Sequence, residues 1–475
     1  MKDEKQPAGL SLSRRGPFIF FLLGPLILRV LPCSNAFWFD EVWSWQISQI
    51  VKSPVGILTN PLAQSDNNHP LNTLWMYLVG DTSLWWIYRL PSLLCGCAMF
   101  LLILWMERKF SRRTFILVCL LVGLSFPLII YSSEARGYAP MLLCAVGCYY
   151  LLRVIAADPT RKLRGILFAI LCSIGLLFHL TFVQFLLAAI ILAILVLPRR
   201  TLWKTLPLLF GLPFAVLVAL VLIFVRHLHF GGAPDASATN AVASTLSLVL
   251  GGPMSGVAIY PIAVVVLILV LLALRWLYCR GRAEGWFFIV AIFVAPAAMI
   301  IAQSLSAGEM PTIQIRYLLI PFTFSLILLG RYFVALLHRG AWVRPLCMAI
   351  LALAMLGDGY HVGRFLAVGR GDYKEAVEHI SADTASTNLT WASDSPGNAF
   401  RVNSLLLYYQ RFVRLGQHFE QSKNPQWVIL NIQQLPDSFP LIYSFDGEPY
   451  KFDSVYPAYG LSGWSWVLYR KAPSY

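Results

Sequence analysis

Charged residues are scarce in this chain. They make up 13% of its 475 residues, against about 25% in ordinary soluble domains, and the mean hydropathy is +0.67. That shortage excludes a typical soluble globular protein. Repeated apolar runs approaching the ~20 residues of a bilayer crossing make the chain a polytopic membrane protein instead. A disulfide framework is also missing. Nine cysteines are present, with none beyond Cys347, and most lie inside apolar runs, where they act as small buried hydrophobes. Cys95 and Cys97 lack the paired spacing of a zinc site, so cysteine usage fixes no compartment. Internal repeats are absent as well. Neither a solenoid period nor the inverted halves common in secondary transporters can be traced.

What is present begins with basic residues. The net charge of +14 does not mark a nucleic-acid binder, because its positions follow the membrane. Most basic residues between the spans fall in six short stretches: Lys2 to Arg15, Arg108 to Arg113, Arg153 to Arg164, Arg199 to Lys204, Arg275 to Arg282, and Arg339 with Arg344. The alternate loops hold only Lys52, Arg89, Arg136, Arg226 and Arg316. This alternation predicts that the basic stretches are cytoplasmic.

The predicted spans are 17–33, 89–106, 114–131, 138–154, 164–179, 181–197, 204–225, 256–276, 286–303, 317–337 and 343–357, eleven in all. With the N-terminal segment 1–16 in the cytoplasm, an odd number puts the C-terminus outside and every basic stretch inside. The run 69–80 is too short to cross, and counting it would invert every later loop. It is therefore predicted as a re-entrant or interfacial helix in a long first outer loop, 34–88. Residues 41–51 place Trp43, Ile47, Ile50 and Val51 on one face, as a second interfacial helix would. The Gly-, Ala- and Ser-rich stretch 226–255 reads as a mobile loop, a lid or a linker. Beyond about 358 the composition changes, and residues 358–475 hold eleven of the 23 acidic residues. Strand-like runs at 389–393, 426–431, 441–445 and 464–470, with helices at 373–381 and 402–411, predict a small α/β extracytoplasmic domain over 358–475. The expected fold class is thus an all-α polytopic body, 17–357, followed by that domain.

The first outer loop carries an acidic pair, Asp40 and Glu41, inside FWFDEVWSW (37–45). An ionised side chain drawn to a helix centre costs roughly 2.5–3.5 kcal/mol even on mild scales, so the pair invites a reason. One reason needs no chemistry: Asp40 as helix cap and Glu41 as first-turn residue, favoured by free amides and the helix dipole. The other is a general base near an acceptor hydroxyl. Neighbours on a helix point about 100° apart, so one carboxylate faces any shared pocket, and Asp40, at the helix start, is expected to be that base. On the same side lie His69, Glu134, Arg136, His179 and Arg316. His69 opens a Pro-started helix and is either a boundary histidine or a phosphate donor or metal ligand. Arg136 either pairs with Glu134 in a turn or clamps a phosphate. Arg316 is either a snorkelling anchor or a second phosphate group's partner. His179 reads as a capped helix end.

Together these motifs resemble the large membrane glycosyltransferases of the GT-C fold, above all protein O-mannosyltransferases and bacterial lipid A aminoarabinose transferases. FWFDEVWSW resembles their acidic outer-loop signature, HPLNTLW (69–75) their His-Pro segment, and YRLPSLLCG (88–96) their Arg-Leu-Pro-Ser segment. EARGYA (134–139) and IRYLLIPF (315–322) resemble the two later arginine segments. The resemblance spans about residues 15–340, with Asn72 standing where the family pattern has a second proline. It implies inverting sugar transfer from a polyprenyl-phosphate carrier to an acceptor hydroxyl of a glycan, lipid or protein on the outer face of a bacterial inner membrane. Asp40 takes the catalytic acidic position and Glu41 supports it. Arg136, Arg316 and His69 are expected to bind the donor phosphate, and Asp66 with His69 is where a divalent metal would bind. No other cofactor is implied. The competing class is a secondary transporter or lipid flippase with an outward polar cavity, disfavoured by the missing inverted repeat and by charges gathered at one face.

Overall fold

Apolar runs fold as helices in a bilayer because every backbone N–H and C=O must then be bonded within the segment. The computed structural model describes residues 16–63, 69–108, 111–227, 237–307, 313–382, 388–413, 417–433 and 435–472. Helix α1 (Gly16–Val30) turns at Leu31–Ser34 and the chain re-enters as α2 (Phe39–Ile50); the two lie 66° apart. The short α3 (Gly56–Thr59) and α4 (Pro70–Val79) follow in the same loop, then α5 (Leu90–Glu107). The span expected over 114–131 is bent by 62° into α6 (Arg112–Gly123) and α7 (Phe126–Ser132). Pro127, in the first turn of α7, lacks the N–H that a continuous helix would need there.

That bend strands backbone groups, and two buried polar side chains satisfy them. Arg29 on α1 donates Nη1 to the carbonyl of Gly123 (2.9 Å) and Nη2 to that of Val122 (3.0 Å). The Phe126 N–H donates to Asp358 Oδ1 at 2.9 Å. Buried polar side chains in an apolar sequence here replace the missing turn's hydrogen bonds.

The bundle continues with α8 (Tyr138–Ala157), α9 (Lys162–Phe178), α10 (Val183–Val196) and α11 (Arg199–Ile223). After these come α12 (Ala238–Val249), α13 (Ile259–Tyr278) and α14 (Arg282–Ile289), which passes through a π-helical turn, Val290–Val294, into α15 (Ala295–Ala307). The last two are α16 (Leu319–Leu337) and α17 (Val343–Val368). Among the described residues seven stretches are long and apolar enough to cross a membrane, or nine if each bent pair is one span. The expected spans 164–179 and 181–197 form α9 and the helix Leu180–Val196, both shorter than the ~20 residues of a straight crossing.

One expectation is corrected. The stretch 226–255 is not simply a loop, because 238–249 is helix α12, while 228–236 lie outside the described residues. Alanine favours helix, and Ala243 packs against Ile259 and Ala263 of α13.

The C-terminal part adds α18 (Tyr373–Ala382), β1 (Asn388–Ala392), α19 (Pro396–Tyr409), β2 (His418–Gln421), β3 (Trp427–Ile432), β4 (Ile442–Phe445), β5 (Glu448–Tyr456) and β6 (Ser465–Lys471). The sheet order is β2-β1-β3-β6-β5-β4. β1 runs parallel to β2 and β3, and the other pairs are antiparallel. β2 and β5 escaped the sequence reading because their exposed, charged residues lack a strand's alternation. One face of the sheet shares its core with the first loop: Trp391, Trp427 and Trp466 cluster with Phe37, Trp38 and Val42. Helix α19 lies on α2, with Phe400 edge-on to Phe39 and Trp43, and Tyr409 donating to the Phe37 carbonyl at 2.8 Å. The domain therefore covers the helix that carries the acidic pair.

Candidate functional site

Helix α2 forms where an extended Trp38 precedes two acids, which suit the positive end of a helix. Glu41 folds back toward the Trp38 N–H (3.4 Å). The two carboxylates then part. Glu41, wholly buried, takes Arg89 in a bidentate pair (Nε–Oε1 2.8 Å, Nη2–Oε2 2.6 Å) and accepts the Ala135 N–H at 2.6 Å. Arg89 also donates to the carbonyls of Cys33, Asn35 and Ala36, tying the turn after α1. Asp40 turns the other way. Its Oδ2 receives Arg316 Nη1 at 2.5 Å and lies 3.4 Å from Arg136 Nη2.

The segment Ser133–Gly137, between α7 and α8, is the hub, because four side chains from the first loop and α5 pin its backbone. Besides Glu41 on Ala135 N–H, Asn72 of α4 donates to the Ala135 carbonyl (2.6 Å) and Ser92 of α5 to the Arg136 carbonyl (2.6 Å). The Gly137 N–H donates to His69 Nδ1 at 3.1 Å. A side chain at Gly137 would meet the Phe178 carbonyl at 1.9 Å, so only glycine fits. Held this way, Arg136 donates Nη1 to the Asp40 carbonyl (3.1 Å) and Ser44 Oγ (3.2 Å) while Nη2 approaches the Asp40 carboxylate. Arg316 arrives from the start of α16 and lies over the Trp38 and Tyr317 rings.

Beside the arginines sits an aromatic trio. His69 packs edge-on to His179 (4.4 Å between centroids) and to Tyr138 (4.8 Å). His179 Nδ1 accepts the Thr181 N–H at 3.0 Å. In both rings Nδ1 accepts, so Nε2 carries the proton when the ring is neutral. Burial holds both imidazoles well below the usual histidine range, and Arg136 lowers them further. Both are therefore neutral donors at pH 7. Among the described residues their Nε2 atoms and the Tyr138 hydroxyl are buried without a hydrogen-bond partner.

A third ionic group joins the hub to the C-terminal part. Arg370 donates to the carbonyls of Pro32 and Ile130 and to Ser133 Oγ, and lies 3.6 Å from Glu134. Ser462 donates to the same Glu134 carboxylate. Burial raises the Glu134 pKa to about 7, with Arg370 opposing.

The structure thus brings Asp40, Arg136, Arg316 and His69 together and gives Glu41 its own partner one step away. Asp66 lies outside the described residues. Among the described residues no three His, Cys, Asp or Glu side chains form a metal-binding group. Sequence reasoning gave no role to Arg89, Asn72, Ser92 or Arg370. Arg89 and Ser92 lay in the segment YRLPSLLCG and Asn72 in HPLNTLW, so those three carried a signal, while Arg370 carried none.

No protein-family model and no curated protein matches the chain. A solved structure does: the crystal structure of ArnT from Cupriavidus metallidurans bound to undecaprenyl phosphate superposes with a TM-score of 0.53 at 13% identity, covering 97% of this chain and 99% of that one. The chain has the GT-C membrane fold with a small C-terminal sheet domain.

Proposed function

We propose that this protein is a membrane glycosyltransferase that moves a sugar from a polyprenyl-phosphate carrier to an acceptor hydroxyl, with inversion, on the extracytoplasmic face. The observation that carries the reading is the Asp40 carboxylate held by Arg316 and Arg136, cations delivered from the turn before α16 and from the 133–137 segment. A neighbour of the same fold whose crystal structure holds undecaprenyl phosphate supports the carrier class.

The chemistry follows from competition for the two guanidinium groups. A lipid phosphate is a better bidentate partner for arginine than one carboxylate oxygen. On binding Arg136 and Arg316 it displaces Asp40 and frees that carboxylate to face the acceptor hydroxyl. Asp40 then accepts the proton of the acceptor hydroxyl as its oxygen attacks the anomeric carbon from the face opposite the phosphate. The anomeric C–O bond breaks, the electron pair leaves on the phosphate, and the arginines stabilise that charge. The neutral Nε2–H groups of His69 and His179 serve as further donors. Glu41 acts through Arg89 and Ala135 as a positioning residue. Asp66 and His69 remain the proposed location of a divalent metal, and no step above depends on it.

In this proposal residues 17–357 are the catalytic body and 358–475 the extracytoplasmic domain, its first turns continuing α17. The setting is a bacterial inner membrane with the C-terminus outside, as the loop charges predict. The decisive experiment uses reconstituted protein with polyprenyl-phosphate sugars. Asp40→Asn is expected to lower transfer by roughly 10²-fold or more while donor binding persists. Unchanged transfer would remove Asp40 as the base.

A further inference from the structure

Two helices that begin at the site end at a second cavity. α8 starts at Tyr138 and carries Arg153, while Arg316 precedes α16, which carries Arg331. At 1.5 Å per residue, the steps from 138 to 153 and from 316 to 331 each cover about 22 Å. The cavity therefore lies toward the opposite end of the bundle from Asp40.

Its floor is an ionic network. Arg331 holds Glu107 through two bonds (Nε–Oε2 2.9 Å, Nη2–Oε1 2.6 Å) and reaches Glu284 with Nη1 at 2.9 Å. Tyr150 donates to Glu107 and Tyr149 to Glu284. Arg153 stands 3.6 Å from Glu284. Against this floor opens a cavity of about 350 Å³ lined by Tyr149, Arg153, Leu192, Val196, Arg282 and Glu284, among others. Arg282 is exposed at its mouth, and the Cβ direction of Gly281 meets only open space.

Charge and surface then define an occupant. Among the described residues, the charged side chains that line the cavity are Arg153, Arg282 and Glu284, with the Arg331–Glu107 pair behind them, so its lining carries two guanidinium groups and one carboxylate. The opposite wall, Leu192 and Val196, is aliphatic, and the neighbouring Ile194 and Leu195 of α10 face outward from the bundle. A basic mouth beside an apolar wall at a membrane boundary suits a phosphate that carries acyl chains. We propose that this cavity binds the headgroup phosphodiester of an anionic glycerophospholipid, with Arg153 and Arg282 on the phosphate and the acyl chains against α10.

The test titrates the purified full-length chain in detergent with phosphatidylglycerol, with phosphatidylcholine of the same acyl chains, and with inorganic phosphate. Native mass spectrometry reads retained lipid, and thermal unfolding reads phosphate. Phosphatidylglycerol is expected to be retained over phosphatidylcholine, and Arg282→Glu to weaken that retention roughly tenfold. Ala156→Trp, which fills the cavity without touching a charge, is expected to do the same and guards against a charge variant that fails to fold. Arg316→Gln is expected to leave retention unchanged, which separates this site from the one around Asp40. Equal retention of the two lipids, or retention unaffected in both cavity variants, overturns the proposal. Stabilisation by inorganic phosphate without lipid retention overturns the lipid assignment in favour of a free anion.

Discussion

Arg316 and Asp40, 276 positions apart in sequence, meet at 2.5 Å in a buried contact. Neither residue would be stable there alone, since an unpaired charge in a low-dielectric site is strongly disfavoured. The pair keeps two charges desolvated at the place where a phosphate is proposed to bind.

Removing the arginine tests that role. Arg316→Gln is expected to raise the KM for the polyprenyl-phosphate donor and weaken product inhibition by the free lipid phosphate, each by tenfold or more, at about 1.4 kcal/mol per decade. Arg316→Lys keeps the charge but loses the planar fork and should fall between. Steady-state kinetics at varied donor concentration, in reconstituted protein, checks both. A fall in kcat with KM unchanged would assign Arg316 to the transition state alone.

Glu41 is expected to act on stability before activity. Glu41→Gln leaves the wholly buried Arg89 without its charge partner, and breaking such a pair costs about 3–5 kcal/mol. The melting temperature should drop by several degrees. A double variant, Glu41→Gln with Arg89→Met, should recover part of that loss because no orphaned charge remains. Thermal unfolding in detergent reads both.

Asn72 makes a smaller, local contribution. Asn72→Ala leaves the Ala135 carbonyl without the 2.6 Å bond it receives, a cost of about 1–3 kcal/mol for a buried acceptor. Because Ala135 adjoins Arg136, donor KM should rise along with the loss of stability. Binding of donor at constant temperature separates the two effects.

Glu134 sets a pH dependence with a definite sign. Its pKa of about 7 in the folded protein lies above the ordinary glutamate value of about 4.3. The unfolded chain therefore loses this proton first, and stability falls as pH rises from about 4 to about 7, then levels off. Glu134→Gln should flatten that slope and make the protein relatively more stable at pH 8 than the wild type. Melting temperatures across pH 5 to 8 would show it, and parallel curves would refute it.

Much of this was legible in the chain. The charge shortage and apolar runs set a helical membrane body, and the C-terminal shift in composition set an α/β domain. The short run opening at His69 became α4 because Pro70 starts a helix and the following residues run out before a bilayer is crossed. Where local pattern failed, long-range contacts were the cause. The stretch 226–255 read as a loop because small residues do not declare a helix until α13 packs against them. β5 went unseen because its pairing with β6, not its own alternation, holds it.

The acidic pair marks the boundary between the two kinds of information. Sequence alone determined that two carboxylates stand at the start of a helix and, through the roughly 100° step between neighbours, that they face different ways. Only the tertiary structure decided that Asp40 faces Arg136 and Arg316 while Glu41 faces Arg89. The reason is physical: those partners arrive from α5, the 133–137 hub and the start of α16. Which cation meets which anion depends on how helices far apart in sequence pack, and no local periodicity records that.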